Sequence, residues 1–332
     1  PEKNRFHLTR PFFSLKGTLM KSLKTTSAIL LTAFALNLVL TVPLSAEKIK
    51  LRMNLKQGKR YNISFVADQD ISQTIQSRKQ DIKQTFGIGF TYDVQSVEKE
   101  VYTIKVTYSW IRFSQEGPGQ NMDYDSRDSS GEIPAAAKGF AGMVDQSFTI
   151  QVSPTGKVKK IEGTEKIIDK IIASLDATDE AAKEYMRSSI KKHFGEKALK
   201  NQIESSFNIY PEQPVAPGDS WKKEIATNVG FPMLTTNTYT LKKTEKNIAE
   251  ISVASKVETN EHAEPMKMGQ VEMKYEIRGM QEGDMKVDIE TGLVKASTLK
   301  QRLSGKISIS GNGNKNTAWP ISIYSKINIS ME

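Results

Sequence analysis

Between Phe86 and Val94 the chain sets Phe86, Ile88, Phe90, Tyr92 and Val94 against Gly87, Gly89, Thr91 and Asp93. The same period carries Tyr102, Ile104, Val106, Tyr108 and Trp110 against Thr103, Lys105, Thr107 and Ser109. Successive side chains of a strand point to opposite faces, so each run predicts an antiparallel strand with one buried and one wet face. Glu98-Lys99-Glu100 is the polar hairpin between them. Upstream, Tyr61 to Ile75, rich in Gln, Ser and Asp, reads as a further strand that turns through Ser77 to Gln80. Phe148 to Val152 alternates again and ends at the turn Ser153-Pro154-Thr155-Gly156.

In the middle the period changes to that of a helix. Ile167, Ile168, Ile171, Ile172 and Leu175 follow Thr164, whose hydroxyl is placed to cap a first turn; Ala182, Met186 and Ile190 continue the stripe, and Leu199, Ile203 and Phe207 form another after Gly195. Two or three short amphipathic helices are expected there. Pro211, Pro214 and Pro217 then predict an extended linker. Strand returns after Trp221, with Val287 and Ile289, Ile307 and Ile309, and Ile321, Ile323, Ile327, Ile329 and Met331 as its clearest alternations; Gly311-Asn312-Gly313-Asn314 supplies a tight hairpin.

The two strand-rich stretches answer one another in order. Gly58 to Tyr61 matches Gly218 to Trp221, Thr91 to Val94 matches Thr238 to Leu241, and Thr103 to Val106 matches Glu250 to Val253. Phe148 to Val158 matches Met285 to Val294, with Pro154 as the one extra residue. The expected fold is α+β and predominantly antiparallel β, with two related β-rich halves, curved sheets or half-barrels, joined by a short helical segment. Its divisions are a first half at 47–163, helices at 164–210, a Pro-rich linker at 211–220 and a second half at 221–332.

The residues before 47 read differently. Lys21 and Lys24, the apolar stretch Ala28 to Val42 and the small-residue ending Pro43-Leu44-Ser45-Ala46 make a secretory signal peptide over 20–46, cleaved between Ala46 and Glu47; residues 1–19 read as an extension upstream of the native start. The apolar stretch is short for a bilayer of about 30 Å, so no stable transmembrane segment is expected after cleavage. The 332 residues hold 47 Lys and Arg against 38 Asp and Glu, a net charge of +9. Lys3, Arg5, Arg10, Lys16, Lys21 and Lys24 leave with the leader and its extension against Glu2 alone, which brings the charge to +4. That withdraws the case for a nucleic-acid partner, which wants base concentrated on one face.

Candidate chemistry is sparse. The chain has no Cys, which excludes disulfides, thiolate nucleophiles and thiolate-held metals. Beyond the leader only His193 and His262 remain, neither in a metal-binding helical spacing, and no nucleophile elbow, phosphate loop or dinucleotide fingerprint occurs. No cofactor is implied, and the chain reads as a non-enzyme. Asp123 to Asp128 resembles a calcium loop but has Arg127 at a ligand position and Asp128 where the turn Gly belongs, so it reads as a turn. His262, Met266, Met268 and Met273 offer one imidazole and three thioethers suited to cuprous ion, weighed against the readiness of Met to fill irregular cores.

The Gly-x-x-Tyr lead-in, Tyr124-Asp125-Ser126, Val152-Ser153-Pro154-Thr155-Gly156 with Val158 and Ile161-Glu162-Gly163, and Pro211 to Trp221 resemble, in that order, a family of exported bacterial proteins classed as a domain of unknown function. The resemblance spans Leu51 to Ser304 and implies export and a duplicated β-rich body; it implies no activity and no functional residue. The function expected is that of an exported, periplasmic or secreted binding module for an apolar or lipid-like ligand, with Phe90, Tyr92, Tyr108 and Trp110 on the concave face. The alternative is a structural protein of the envelope that docks a protein partner through strand edges or the polar 117–142 segment.

Overall fold

The computed structural model describes residues 47–332 apart from 119–120, 176–178, 228–231, 263–265, 269–270 and 312–313. The signal peptide expected at 20–46, the extension at 1–19 and the centre of the Gly311–Asn314 turn lie outside the described residues. In chain order the elements are β1 (Arg60–Ile75), β2 (Arg78–Glu98), β3 (Val101–Glu116), β4 (Met122–Asp125), α1 (Lys138–Ala141), β5 (Ser147–Val152) and β6 (Val158–Glu162). Three helices follow, α2 (Thr164–Ala173), α3 (Glu180–Phe194) and α4 (Glu196–Phe207). The rest is strand: β7 (Ser220–Thr227), β8 (Met233–Glu245), β9 (Ile248–Thr259), β10 (Met266–Met268), β11 (Val271–Asp288), β12 (Val294–Gly311) and β13 (Asn314–Met331).

All the strands share one antiparallel sheet in the order β6-β5-β3-β2-β1-β13-β12-β11-β9-β8-β7, with β4 added to β3 and β10 to β11. The strands before and after the helices are therefore continuous through β1 and β13, which pair from Ile63↔Met331 to Gln73↔Ile321. The path is open, since β6 and β7 end it without pairing to each other. Yet α4 packs against both of them, so the sheet curls until its two edges meet one helix. Glu204 of α4 accepts the backbone N–H of Val158 on β6 at 2.8 Å, and Asn208 just past its end donates to the carbonyl of Glu224 on β7 at 2.9 Å. The exposed N–H and C=O groups of a sheet edge are thus partly satisfied by a helix.

The curl has a second cause in β11 and β12. A Cβ at Gly279 would stand 1.9 Å from the Arg302 carbonyl oxygen, at Gly283 2.1 Å from that of Thr298, and at Gly305 1.9 Å from that of Glu276. Only glycine lets the two backbones approach this closely, which is how a sheet turns a corner.

One end of the curled sheet is filled. The main core joins Val94, Ile104 and Tyr108 from the early strands to Leu241, Ile251 and Val287 from the late ones, with Ile167 and Ile171 of α2 and Leu199 and Phe207 of α4. Residues 47–56 run across this end: Leu51, Met53 and Leu55 are buried, Met53 wholly. Met53 N–H donates to Pro154 O and Asn54 N–H to Thr291 O, both at 2.8 Å, so adjacent residues close on two separate turns. Ile49 and Val215 exchange backbone hydrogen bonds, and the Tyr210 hydroxyl donates to Gly292 O. The Pro-rich stretch is thereby held against the same end.

Local readings differ in places. The β1–β2 turn is Gln76-Ser77, both at positive φ, which suits the twist of a two-residue hairpin; Lys79 and Gln80 are already strand. Lys99-Glu100 and Lys246-Asn247 turn in the same way. Thr164 caps nothing: Gly163 at φ 94° precedes α2, and Thr164 is a buried first-turn residue.

Candidate functional site on the inner face of the sheet

Ladder register shows where the expected aromatic face goes. Phe90 pairs with Tyr108 and Tyr92 with Val106, but a bulge between Gly89 and Phe90 shifts the partner strand by one residue. Beyond it the inward row continues through Ile88 and Ile111, and Trp110 falls on the outer face. There its ring covers Gly87 and Gly89, where a Cβ would lie 2.8 and 2.1 Å from ring atoms. The proposed set Phe90, Tyr92, Tyr108 and Trp110 is corrected accordingly: Trp110 does not share the face of the other three. Phe90 and Tyr108 pack at 5.4 Å, Phe90 and Tyr92 at 6.4 Å, and Tyr108 and Phe148 at 5.9 Å. These rings fill the main core. Burial pushes the Tyr92 hydroxyl up to about 12 and the Tyr108 hydroxyl higher still.

Above that core the inner face carries an arrangement the sequence reading missed. Gln115 pairs with Gln84, Gln84 with Gln69, and Gln69 with Ser325. Ser325 pairs with Gln301, Gln301 with Gln281, Gln281 with Ser255, and Ser255 with Asn237. Eight neighbouring strands thus place an amide or hydroxyl, and no charge, at one level. The groups bond along the row: Gln84 Nε2 donates to Gln69 Oε1 and Gln69 Nε2 to Ser325 Oγ, each at 3.2 Å. Gln301 Nε2 donates to Gln281 Oε1 at 3.2 Å and Ser255 Oγ to Asn237 Oδ1 at 2.6 Å. Ser325 is fully buried and Asn237 nearly so, whereas the glutamines are half-buried. The row ends at Lys223 on β7, opposite Asn237, where Glu212 stands 3.5 Å from the ammonium.

The row separates two apolar layers. Below it lie Phe86, Ala67, Ile327, Leu299 and Val253 at the edge of the main core. Above it lie Ile71, Ile323, Leu303 and Val257 of a second cluster, which rises through Ile277, Ile321 and Ile307 to Met273 and Trp319. Trp319 Nε1 donates to Gln73 Oε1, and Gln73 Nε2 to Gln80 Oε1. The helices pack at the opposite end, on β5, β6 and β7. The alternation Ala67-x-Gln69-x-Ile71, Leu299-x-Gln301-x-Leu303 and Ile323-x-Ser325-x-Ile327 was the available signal; without register it cannot be seen to align.

On the outer face, Arg127 lies over the Trp110 ring at 4.2 Å and binds the Asp125 carboxylate through Nε and Nη2 at 2.8 and 2.6 Å. That bonding holds the Asp125 carboxyl below its ordinary value. The stretch read as a turn bonds its own backbone, Arg127 N–H to Asp125 and Ser130 N–H to Asp128. Beside it Arg112 Nε is buried without a partner.

Of the thioether set, Met266 pairs with Met273 in the β10–β11 ladder, and Met273 sulfur accepts from the Tyr275 hydroxyl at 3.6 Å. His262 stands exposed on the preceding turn. Among the described residues no three His, Asp or Glu side chains gather as a metal site, and no helix is long and apolar enough to cross a membrane.

An open, curled antiparallel sheet with one filled end and an uncharged polar row between two apolar layers defines the class of molecule. The chain belongs to a family of unknown function (DUF6263), whose match covers residues 99–294. No curated protein matches it. Among solved structures, lipovitellin, described for its lipid–protein interactions, aligns at TM-score 0.44 and 11% identity over 84% of this chain and 25% of that one. The chain therefore spans about a quarter of that protein's length. The translocator domain of the autotransporter NalP from Neisseria meningitidis aligns at TM-score 0.20 and 5% identity over 84% of this chain and 90% of that one. OccK5 from Pseudomonas aeruginosa aligns at TM-score 0.20 and 6% identity over 83% and 98%.

Proposed function

We propose that the protein is an exported, non-enzymatic binding module that takes an apolar, lipid-like ligand against the second cluster, at the end of the curled sheet away from the helices. One observation carries the reading: Ile71, Leu303, Ile307, Ile321 and Ile323 form an apolar inner surface set apart from the main core by a polar row. A core built only for stability gains nothing from such an interruption, because buried polar groups cost free energy unless fully bonded. The apolar side chains of the cluster cover one another, so a ligand enters by spreading the two sides of the sheet. No ladder ties those sides together between β6 and β7. The docking alternative needs free edges, and α4 packs on part of both β6 and β7.

The test is lipid extraction and mass spectrometry of the purified chain from residue 47, with uptake of a hydrophobic dye in parallel. Co-purified lipid, and dye uptake abolished in a folded Ile323→Asp variant, are expected. A folded wild-type protein with neither lipid nor dye uptake overturns the reading.

The two strand-rich stretches are, on the same proposal, copies of one unit at 47–163 and 221–332, linked by the helices and the Pro-rich stretch. Matching hydrogen bonds support this. Gly58 N–H donates to Val94 O while Val94 N–H donates to Lys59 O; Gly218 N–H donates to Leu241 O while Leu241 N–H donates to Asp219 O. Gly58 and Gly218 are both at positive φ, as are Gly156 and Gly292 of the two Thr-Gly turns. Ladder register sets Val152 and Val158 against Val287 and Val294, so the longer turn belongs to the second copy and Pro154 is not the extra residue.

A further inference from the structure

Resting on the apolar-ligand reading, we infer that the uncharged row selects the head of the ligand: the site takes an acyl chain ending in a neutral, hydrogen-bonding group such as an ester, and rejects the ionised carboxylate of the same chain. The row supplies what a neutral carbonyl or hydroxyl needs. Each Gln amide has two donor hydrogens and an acceptor oxygen, and the bonds along the row use only part of that capacity. Among the described residues the only buried side-chain polar atom without a partner is Arg112 Nε, on the other face. Gln84 Oε1, Gln281 Nε2 and Gln301 Oε1 take no part in the bonds along the row, and the three glutamines are half-buried rather than sealed.

The row lacks what a carboxylate needs. A charge taken out of water requires an opposite charge or a dense set of donors, and from β3 to β8 the row holds no cation. Lys223 stands only at its far edge, already facing Glu212. The length of the apolar surface matches the rest of the ligand. Along β13, Ser325 and Trp319 are six residues apart, roughly 20 Å of strand, enough to lay an extended acyl chain from the row toward the β12–β13 hairpin. Leu303, Ile277 and Ile321 bury one another along this stretch, so the acyl chain takes its place by parting them.

The experiment titrates the chain from residue 47 with one fluorescent acyl chain as its methyl ester and as its free acid, at a pH where the acid is fully ionised. The infrared carbonyl band of the bound, isotope-labelled ester is read alongside. The ester is expected to bind roughly tenfold more tightly or better, with its carbonyl band shifted toward the hydrogen-bonded position. Gln301→Lys, which puts a cation in the row, is expected to reverse the preference. The wild-type ratio and the infrared band decide the matter even where that variant does not fold. Equal binding of both forms, preference for the carboxylate, or an unshifted carbonyl overturns this inference and leaves the apolar-ligand reading standing. Binding of neither form overturns both.

Discussion

The carboxylate of Glu204 on α4 accepts the backbone N–H of Val158 on β6 at 2.8 Å. Val158 is a buried residue at the last strand on one side of the sheet. Four residues along, Asn208 bonds the last strand on the other side. One helix thus stands where the closing ladder of a barrel would be, and the molecule is sealed by side chains that can let go.

Glu204→Ala is expected to cost about 1–3 kcal/mol, the penalty for leaving a buried N–H unpaired, while Glu204→Gln, which keeps an acceptor, costs less. Urea midpoints at unchanged slope measure this. Faster hydrogen exchange at Val158, with β1 and β13 protected as before, is the local signature. An unaltered Val158 exchange rate in the Ala variant contradicts the role given to Glu204.

The corner between β11 and β12 gives a second prediction. In Gly305→Ala the new methyl meets the Glu276 carbonyl oxygen at 1.9 Å, and the obstacle is backbone, which cannot rotate away. The expected destabilisation is about 1–3 kcal/mol by overpacking. Gly131→Ala, at a position with nothing within 4 Å, is the control and should be near neutral. Equal thermal midpoints for the two variants would remove the glycines as the cause of the curl.

Alkaline pH should expose the tyrosines of the filled end. Burial raises Tyr92 and Tyr239 to about 12, and raises Tyr108 and Tyr210 further. A tyrosine whose folded value exceeds its unfolded value near 10 adds stability that is fully present below pH of about 10. That stability is lost as pH rises toward the folded value, because the unfolded chain releases the proton first. Stability is expected to be flat up to about pH 10 and to fall between about 10 and 12, with tyrosinate absorbance rising together with loss of far-UV signal. A tyrosinate titration complete before unfolding begins would show that these hydroxyls are reached by water in the folded chain.

Much of the fold was legible because it depends on neighbours in sequence. The alternation of Tyr102, Ile104, Val106 and Tyr108 fixes a strand and its two faces, and the spacing of Ile167, Ile168, Ile171 and Ile172 fixes a helix. Trp110 shows the limit. Its place in the alternation is regular, but the bulge at Gly89 and Phe90 inserts one residue into the ladder and turns it outward. Thr164 likewise had the chemistry of a cap, but Gly163 took the turn.

By itself the amino-acid sequence determined the main strand and helical segments, the apolar side of a strand up to its first bulge, and that cysteine chemistry is excluded. Only the tertiary structure decided which strands are neighbours. Gln69 and Ser325 lie 256 residues apart and touch because β1 pairs with β13 in one register. A slip of one residue would send either side chain to the opposite face. The physical reason is that side-chain alternation is set by the local backbone, whereas register is set by ladders whose partners the local pattern does not name. The polar row, which needs eight strands in step, exists only at that second level.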